Sequence, residues 1–153
     1  MIKLTNIICR KAKLTDIKDI ILMAHEFYLE FIGKDNGDFD FEHVGIIAGK
    51  IIAGNDMAIF LVYDETKPVG MFYIYLSKAY FNPKISCTEV HHMYLQKKYR
   101  NSSAVKVMLK AIREWAKNKK AFWLRDKRTE DSIEYRIYKG DEKCQTQLQP
   151  QQS

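Results

Sequence analysis

The chain has 153 residues, 46% of them hydrophobic and 29% charged, which is enough to bury one sizeable core. That excludes a disordered protein, and no apolar run approaches the roughly 18 residues of a membrane span. The net charge of +6 conceals an asymmetry: positions 97–128 hold twelve Lys or Arg against Glu114 and Asp126, a local balance of +10, whereas the rest of the chain carries −4. Such a segment suits an anion, either a phosphate-bearing small molecule or a nucleic acid, beside the plainer reading of a solvated helix face. Cys9, Cys87 and Cys144 are odd in number and widely separated, with no C-x-x-C, so cytoplasmic thiols are expected rather than a disulfide frame or a metal site. Nothing near Lys3 resembles an export signal.

Ile7–Lys11 reads as a first strand, and Thr15 as the cap of a helix from about Asp16 to Glu30. Ile17, Ile20, Ile21, Ala24, Phe27, Tyr28 and Phe31 follow helical spacing. Gly33–Asp38 breaks the chain, and Phe41 to Ile52 forms a second amphipathic helix stopped by Gly54. Met57–Asp64 is a continuous apolar run of strand length, Glu65 to Pro68 a turn, and Val69–Tyr80 a β-branched and aromatic strand. Phe81–Ser86 is predicted to be a loop and Cys87–Leu95 the next strand. A helix follows from about Ser103 to Asn118, with Val105, Met108, Ile112 and Trp115 on its core stripe and Lys106, Lys110, Arg113 and Lys117 on a basic stripe. Ala121–Asp126 is strand-like, and Ser132–Lys139 alternates like a strand but is also compatible with a short helix. The pattern predicts one domain over 1–143, a mixed α/β fold with a mostly antiparallel central sheet and helices on both faces. Five glutamines between Gln145 and Gln152 mark 144–153 as a polar, disordered tail.

Chemistry concentrates where the strand 87–95 hands over to the helix at 103. A helix N-terminus exposes unpaired N–H groups and the positive end of its dipole, so it receives phosphate well. Asn101, Ser102, Ser103 and Ala104 are small, and Lys97, Lys98 and Arg100 precede them. The spacing suits a pyrophosphate held by main-chain amides; a plain Ser cap of the helix is the competing reading.

Leu95 to Val105, read with the helix that ends Glu114-Trp115-Ala116-Lys117, resembles motif A of the GNAT acyltransferase superfamily, closest to the form in bacteriophage-encoded members. Ile8 to Ala12 with Thr15-Asp16-Ile17, and Lys67-Pro68-Val69-Gly70, match the family's opening and hairpin step. In the signature Gln/Arg-x-x-Gly-x-Gly/Ala, Arg100 takes the first place, Ser103 that of the first glycine and Val105 the Gly/Ala position. Lys97 replaces a common proline, and only 27 residues follow Asp126, without the family's Gly-Phe pair.

The resemblance implies a GNAT-like fold and an N-acetyltransferase that moves acetyl from acetyl-CoA to an amine of a protein or small molecule. It implies that main-chain groups of Met93, Tyr94 and Leu95 hold the pantetheine and thioester, and that Arg100, Asn101, Ser102, Ser103, Ala104, Val105 and Lys106 hold the pyrophosphate. Glu89 is then the general base, and Tyr138, with Tyr135 behind it, the acid for the departing thiolate. His91 or His92 is an alternative base, and His25, Glu26, Tyr28 and Glu30 border the acceptor groove. Each has a plainer reading as a packing or solvated residue. A second hypothesis keeps the fold without turnover, as a phage binding or virion-associated protein, in keeping with the altered motif and short end. Nucleic-acid binding through 97–128 is a third, without a recognised motif. The expected location is the cytoplasm, that of the host if the protein is phage-encoded, and a homodimer is left open.

Overall fold

Arg10 decides how the chain leaves its first strand, β1 (Ile7–Lys11). In the computed structural model its guanidinium binds both carboxylate oxygens of Asp16, at 2.7 and 2.9 Å, and the Lys13 N–H donates to the same carboxylate at 2.8 Å. Leu14–Asp16 therefore forms a 3-10 turn, and α1 (Ile17–Ile32) starts after Asp16 rather than from a Thr15 cap. The Arg10 guanidinium holds the Asp16 carboxyl down at about 2, against the opposing effect of burial. The structure describes residues 6–79, 81–100, 103–128, 132–139 and 146–150, with side chains through residue 121.

The chain forms two compact units, Met1–Tyr75 with Val90–Ala111 and Leu76–Glu89 with Ile112–Ser153. In the first, α1 ends at Gly33, whose φ of 84° lets its N–H reach the Leu29 carbonyl at 2.8 Å. Helix α2 (Phe41–Ala53) is capped by Asp40, which accepts from the His43 N–H at 2.9 Å. Strand β2 (Met57–Asp64) lies antiparallel between β1 and β3 (Lys67–Ala79). Its alternation sends Ile59, Leu61 and Tyr63 into a core with Ile20, Met23 and Ala24 of α1 and Ala48 and Ile51 of α2. Ala58, Phe60 and Val62 are buried as well, so both faces of β2 are covered, as a continuous apolar strand requires. Phe60 stacks on Phe72 at 5.0 Å.

Strand β4 (Asn82–Leu95) neighbours β3 and starts earlier than predicted. Asn82, Pro83 and Ser86 look like loop residues, yet 82–86 extends the strand, with Lys78 Nζ of β3 donating to Ser86 Oγ at 3.4 Å. A long hairpin partner outweighs local turn preference here. After a 3-10 turn at Lys97–Tyr99 comes α3 (Ser103–Asn118), whose Ala104, Met108 and Ala111 are buried while Lys106 and Lys110 are exposed.

In the second unit β4 pairs in parallel with β5 (Phe122–Arg128) at Cys87 and Thr88, and β5 pairs antiparallel with β6 (Ser132–Lys139). The segment 132–139 is thus a strand. Strand β7 (Thr146–Pro150) pairs with β6, so 146–150 is ordered backbone where a structureless tail is expected. Main-chain pairing to an edge strand needs no apolar composition, which is why a glutamine-rich segment gives no warning of it. Ile112, Trp115 and Ala116 of α3 are buried, and Lys120 closes the turn after the helix at φ 52°. The result is the mixed, mostly antiparallel α/β sheet with flanking helices that the hydropathy pattern predicts. Among the described residues no helix is long and apolar enough to cross a membrane.

Candidate active site

Strand β4 is extended until His92, which has φ 50°. A left-handed residue that is not glycine costs of order 1–3 kcal/mol and is kept where the chain must be re-aimed. Beyond it Met93 is 45% exposed, whereas Tyr94 and Leu95 are buried. The described parallel pairing with β5 covers Cys87 and Thr88, within the second unit. On the other side β3 approaches closely. A Cβ at Gly70 would stand 2.7 Å from both the Tyr94 carbonyl oxygen and Leu95 Cδ1, and the Gln96 N–H donates to the Val69 carbonyl at 2.9 Å.

The turn after β4 is fixed by Arg100. Its Nε donates to the Leu95 carbonyl at 2.7 Å, and its terminal nitrogen donates to both Glu30 oxygens at 2.7 Å. The guanidinium also lies 5.9 Å from the centre of the Tyr94 ring. Arg100 thus ties β4 to α1 and shapes the turn with its side chain committed. Tyr99 anchors the same turn from beneath: it is buried and donates to Asp64 at 2.7 Å. Burial, with Asp64 beside it, pushes the Tyr99 hydroxyl up to about 12. Ser103 is exposed at the start of α3, Ala104 is fully buried and Lys106 is exposed. Val105 is half-buried and, with Met93, Leu95, Arg100 and Met108, lines a cavity of about 200 Å³. Asn101 and Ser102 lie outside the described residues.

Two further cavities open on the α1 side of β4. One of about 430 Å³ is bordered by Phe27, Glu30, Phe31, Met93, Tyr94 and Arg100. The other, about 220 Å³, is walled by Phe27, Tyr28, Phe31, Phe39, Tyr73 and His92. The His92 ring stands edge-on to Phe27 at 5.7 Å and to Tyr73 at 5.3 Å, at the point where β4 turns left-handed. Phe31, predicted on the apolar face of α1, is 78% exposed at the mouth of both cavities. Glu26 accepts from Gln96 Nε2 at 2.9 Å and from the Tyr94 hydroxyl at 3.4 Å. Burial, with Glu26 and Glu30 nearby, pushes that hydroxyl up to about 12. Tyr28 binds Asn36 across the following loop, and His25 packs 4.9 Å from both Phe39 and Phe41.

Of the predicted catalytic residues, Glu89 is exposed in the second unit and accepts from Ser77 Oγ at 2.8 Å. His91 is exposed and its ring nitrogen lies 2.9 Å from the Tyr75 hydroxyl. Adjacent on the strand, His91 and His92 have different environments, and only His92 lines the aromatic cavity. Tyr138 and Tyr135 sit on β6 opposite Trp123 and Asp126, and their side chains lie outside the described part. Among the described residues no cluster of His, Cys, Asp or Glu is placed to hold a metal ion. Sequence reasoning missed Phe39 and Tyr73 as cavity walls. The available signal was the crowding of Phe27, Tyr28, Phe31, Phe39 and Phe41 around a Gly- and Asp-rich loop.

Comparison with known proteins bears on this geometry. The sequence profile of the acetyltransferase (GNAT) family matches residues 20–138. No curated protein is similar enough in sequence to be matched. Among solved structures, a predicted acetyltransferase from Clostridium acetobutylicum with acetyl-CoA aligns at TM-score 0.63 and 16% identity, covering 76% of this chain and 77% of that one. An aminoglycoside acetyltransferase from an uncultured soil metagenomic sample, in complex with sisomicin, aligns at TM-score 0.64 and 16% identity over 81% of this chain and 78% of its own. Glucosamine-6-phosphate N-acetyltransferase from Arabidopsis thaliana aligns at TM-score 0.60 and 14% identity over 77% and 79%. At such identities the likeness is one of fold.

Proposed function

Since the chain belongs to the acetyltransferase (GNAT) family and is an acetyl-CoA-dependent N-acetyltransferase, we propose that Met93–Leu95 hold the thioester and that a small-molecule amine meets it from the aromatic cavity on the α1 side. The observation that carries this reading is the meeting, within one unit, of the exposed Met93, the left-handed His92 and that cavity. Two of the structural relatives, an aminoglycoside acetyltransferase and a glucosamine-6-phosphate N-acetyltransferase, are named for small amine acceptors, which supports a small molecule here.

An alkyl amine arrives protonated, since its ordinary pKa is about 10.4. Glu89, through a water, takes that proton; the nitrogen lone pair forms the N–C bond to the acetyl carbon and the C–S bond breaks. The CoA sulfur leaves as a thiolate and takes a proton from Tyr138, with Tyr135 the next candidate, while the second proton shed by the new amide nitrogen returns through solvent to the tyrosinate. Main-chain N–H groups of Met93–Leu95 polarise the thioester carbonyl. Arg100 to Lys106, including Asn101, Ser102, Ser103 and Ala104, seats the pyrophosphate at the start of α3 through main-chain amides and the helix dipole. Acetyl-CoA supplies the acyl group as co-substrate.

Ser103 at the motif's first glycine position supports kinship with the bacteriophage-encoded branch, and we place the protein in the cytoplasm. The run of β3, β4 and α3 through both units supports one domain over 1–143. One observation favours a second reading, a binding or virion-associated protein without turnover: the β-branched Val105 lines the cavity beside Arg100. Titration calorimetry with acetyl-CoA beside dephospho-CoA separates the two. Micromolar affinity, about −8 kcal/mol, is expected for acetyl-CoA. Absence of binding at millimolar ligand refutes the transferase reading and selects the second. In the active protein Glu89→Gln lowers kcat by about 10²-fold or more with the acetyl-CoA Kd unchanged.

A further inference from the structure

The cavity at the bend of β4 differs in chemistry from its surroundings. Phe27, Tyr28 and Phe31 of α1, Phe39 from the following loop and Tyr73 of β3 form its walls, together with His92 of β4. No carboxylate lies among its described lining residues. The two α1 carboxylates nearest in sequence are committed: Glu30 holds Arg100 with both oxygens, and Glu26 accepts from Gln96 and Tyr94. The Tyr28 hydroxyl is committed to Asn36. The cavity therefore offers mainly ring faces and edges, with the Tyr73 hydroxyl and the His92 ring as its described hydrogen-bonding groups and no carboxylate to receive additional ammonium groups.

We infer that the amine acetylated here is a small arylalkyl amine, its ring seated between Phe27, Tyr28, Phe39 and Tyr73 and its nitrogen beside His92. The inference rests on the reading of this site as the acceptor side of an N-acetyltransferase and names its substrate class. Size agrees: an apolar cavity of about 150 Å³ takes benzene. The 220 Å³ here therefore leaves room for a ring and a two- or three-atom tether. Ring walls also favour edge-on aromatic packing, the geometry already adopted by His92 against Phe27 at 5.7 Å and against Tyr73 at 5.3 Å. An apolar wall stabilises the uncharged amine over its ammonium form, and the uncharged amine is the nucleophile. A sugar amine of the same size would surrender water from several hydroxyls, with only the Tyr73 hydroxyl and the His92 ring as described replacement partners.

The test is calorimetric titration of CoA-saturated protein with 2-phenylethylamine, tryptamine, glucosamine and sisomicin, repeated on Phe39→Ala, with thiol release from acetyl-CoA as the turnover readout. The aryl amines are expected to bind at least about tenfold more tightly than glucosamine, and Phe39→Ala to lose most of that margin. Phe39→Leu, which keeps the wall apolar, is expected to restore part of it. Glucosamine or sisomicin binding as tightly as the aryl amines overturns the inference. So does a folded Phe39→Ala with unchanged preference, or a protein that binds acetyl-CoA and none of the four amines. If Phe39→Ala fails to fold, the wild-type ranking alone decides. Absence of acetyl-CoA binding overturns the transferase reading instead, and an aryl-amine preference that survives it leaves the cavity assignment standing alone.

Discussion

Replacing Gly70 by alanine probes the closest approach in the proposed acyl site. The added Cβ would stand 2.7 Å from the Tyr94 carbonyl oxygen, 2.7 Å from Leu95 Cδ1 and 3.4 Å from Leu95 Cα. Leu95 Cδ1 is able to swing away, but the Tyr94 carbonyl is backbone of β4, so relief requires β3 and β4 to part at Tyr94. Overpacking of this kind costs about 1–3 kcal/mol. At about 2–4 °C of Tm per kcal/mol for a domain of this size, the variant should melt roughly 2–12 °C below wild type. Gly49 is the internal control: it lies within α2 with nothing within 4 Å of its added Cβ. Gly49→Ala should therefore stabilise by about 0.5–1 kcal/mol. Circular-dichroism melts of the three proteins, with and without acetyl-CoA, read both effects. Acetyl-CoA should raise the Tm of Gly70→Ala less than that of wild type, because the displaced strand carries Met93–Leu95, the proposed thioester contacts. Equal Tm values for Gly70→Ala and wild type, with equal acetyl-CoA shifts, would refute the argument.

Three other outcomes follow from the same geometry. Val105→Ala removes a β-branched side chain from the cavity beside Arg100 and should tighten acetyl-CoA binding several-fold, about 1 kcal/mol, by calorimetry; unchanged or weaker binding would count against the pyrophosphate seat. Glu30→Gln leaves the Arg100 to Leu95 bond in place but removes a charged partner that is one-third exposed, so urea unfolding should show a loss of about 0.5–1 kcal/mol. Asp16 is held at about 2 from an ordinary 3.8 by the Arg10 hydrogen bonds, so its ionised form stabilises the fold fully above about pH 4. That contribution, about 1–2 kcal/mol once screening at the partly exposed Arg10 is counted, falls away as pH drops from 4 to 2. The stability gap between wild type and Asp16→Asn should therefore shrink across that window; a constant gap would show that the carboxylate's charge contributes nothing.

The local elements and the phosphate-binding candidate were legible because their signals are short-range. The apolar run Met57–Asp64 predicted a strand buried on both faces, and Ala58 to Tyr63 are buried. Gly33 and Gly54 ended α1 and α2 where predicted, and Ser103–Asn118 has the predicted bounds. Thr15 misled because capping preference is local, while Arg10 reaches forward from β1 to claim Asp16 and thereby sets the helix start. Residues 82–86 misled for a related reason: Asn and Pro favour turns in isolation, but a hairpin partner in β3 keeps them extended. The site divides along the same line. Small residues at 101–104 behind three cations are a pattern within ten positions, readable without coordinates. The left-handed bend at His92, the commitment of Arg100 to Glu30 and Leu95, and the walls of the acceptor cavity join side chains that are many residues apart in the chain. No single segment contains them, because the free energies that select a rotamer or a φ angle there come from packing between α1, β3 and β4. Composition and periodicity thus determined the fold class and the strand-to-helix turn, while the tertiary fold alone decided which aromatic side chains line the cavity proposed for the amine.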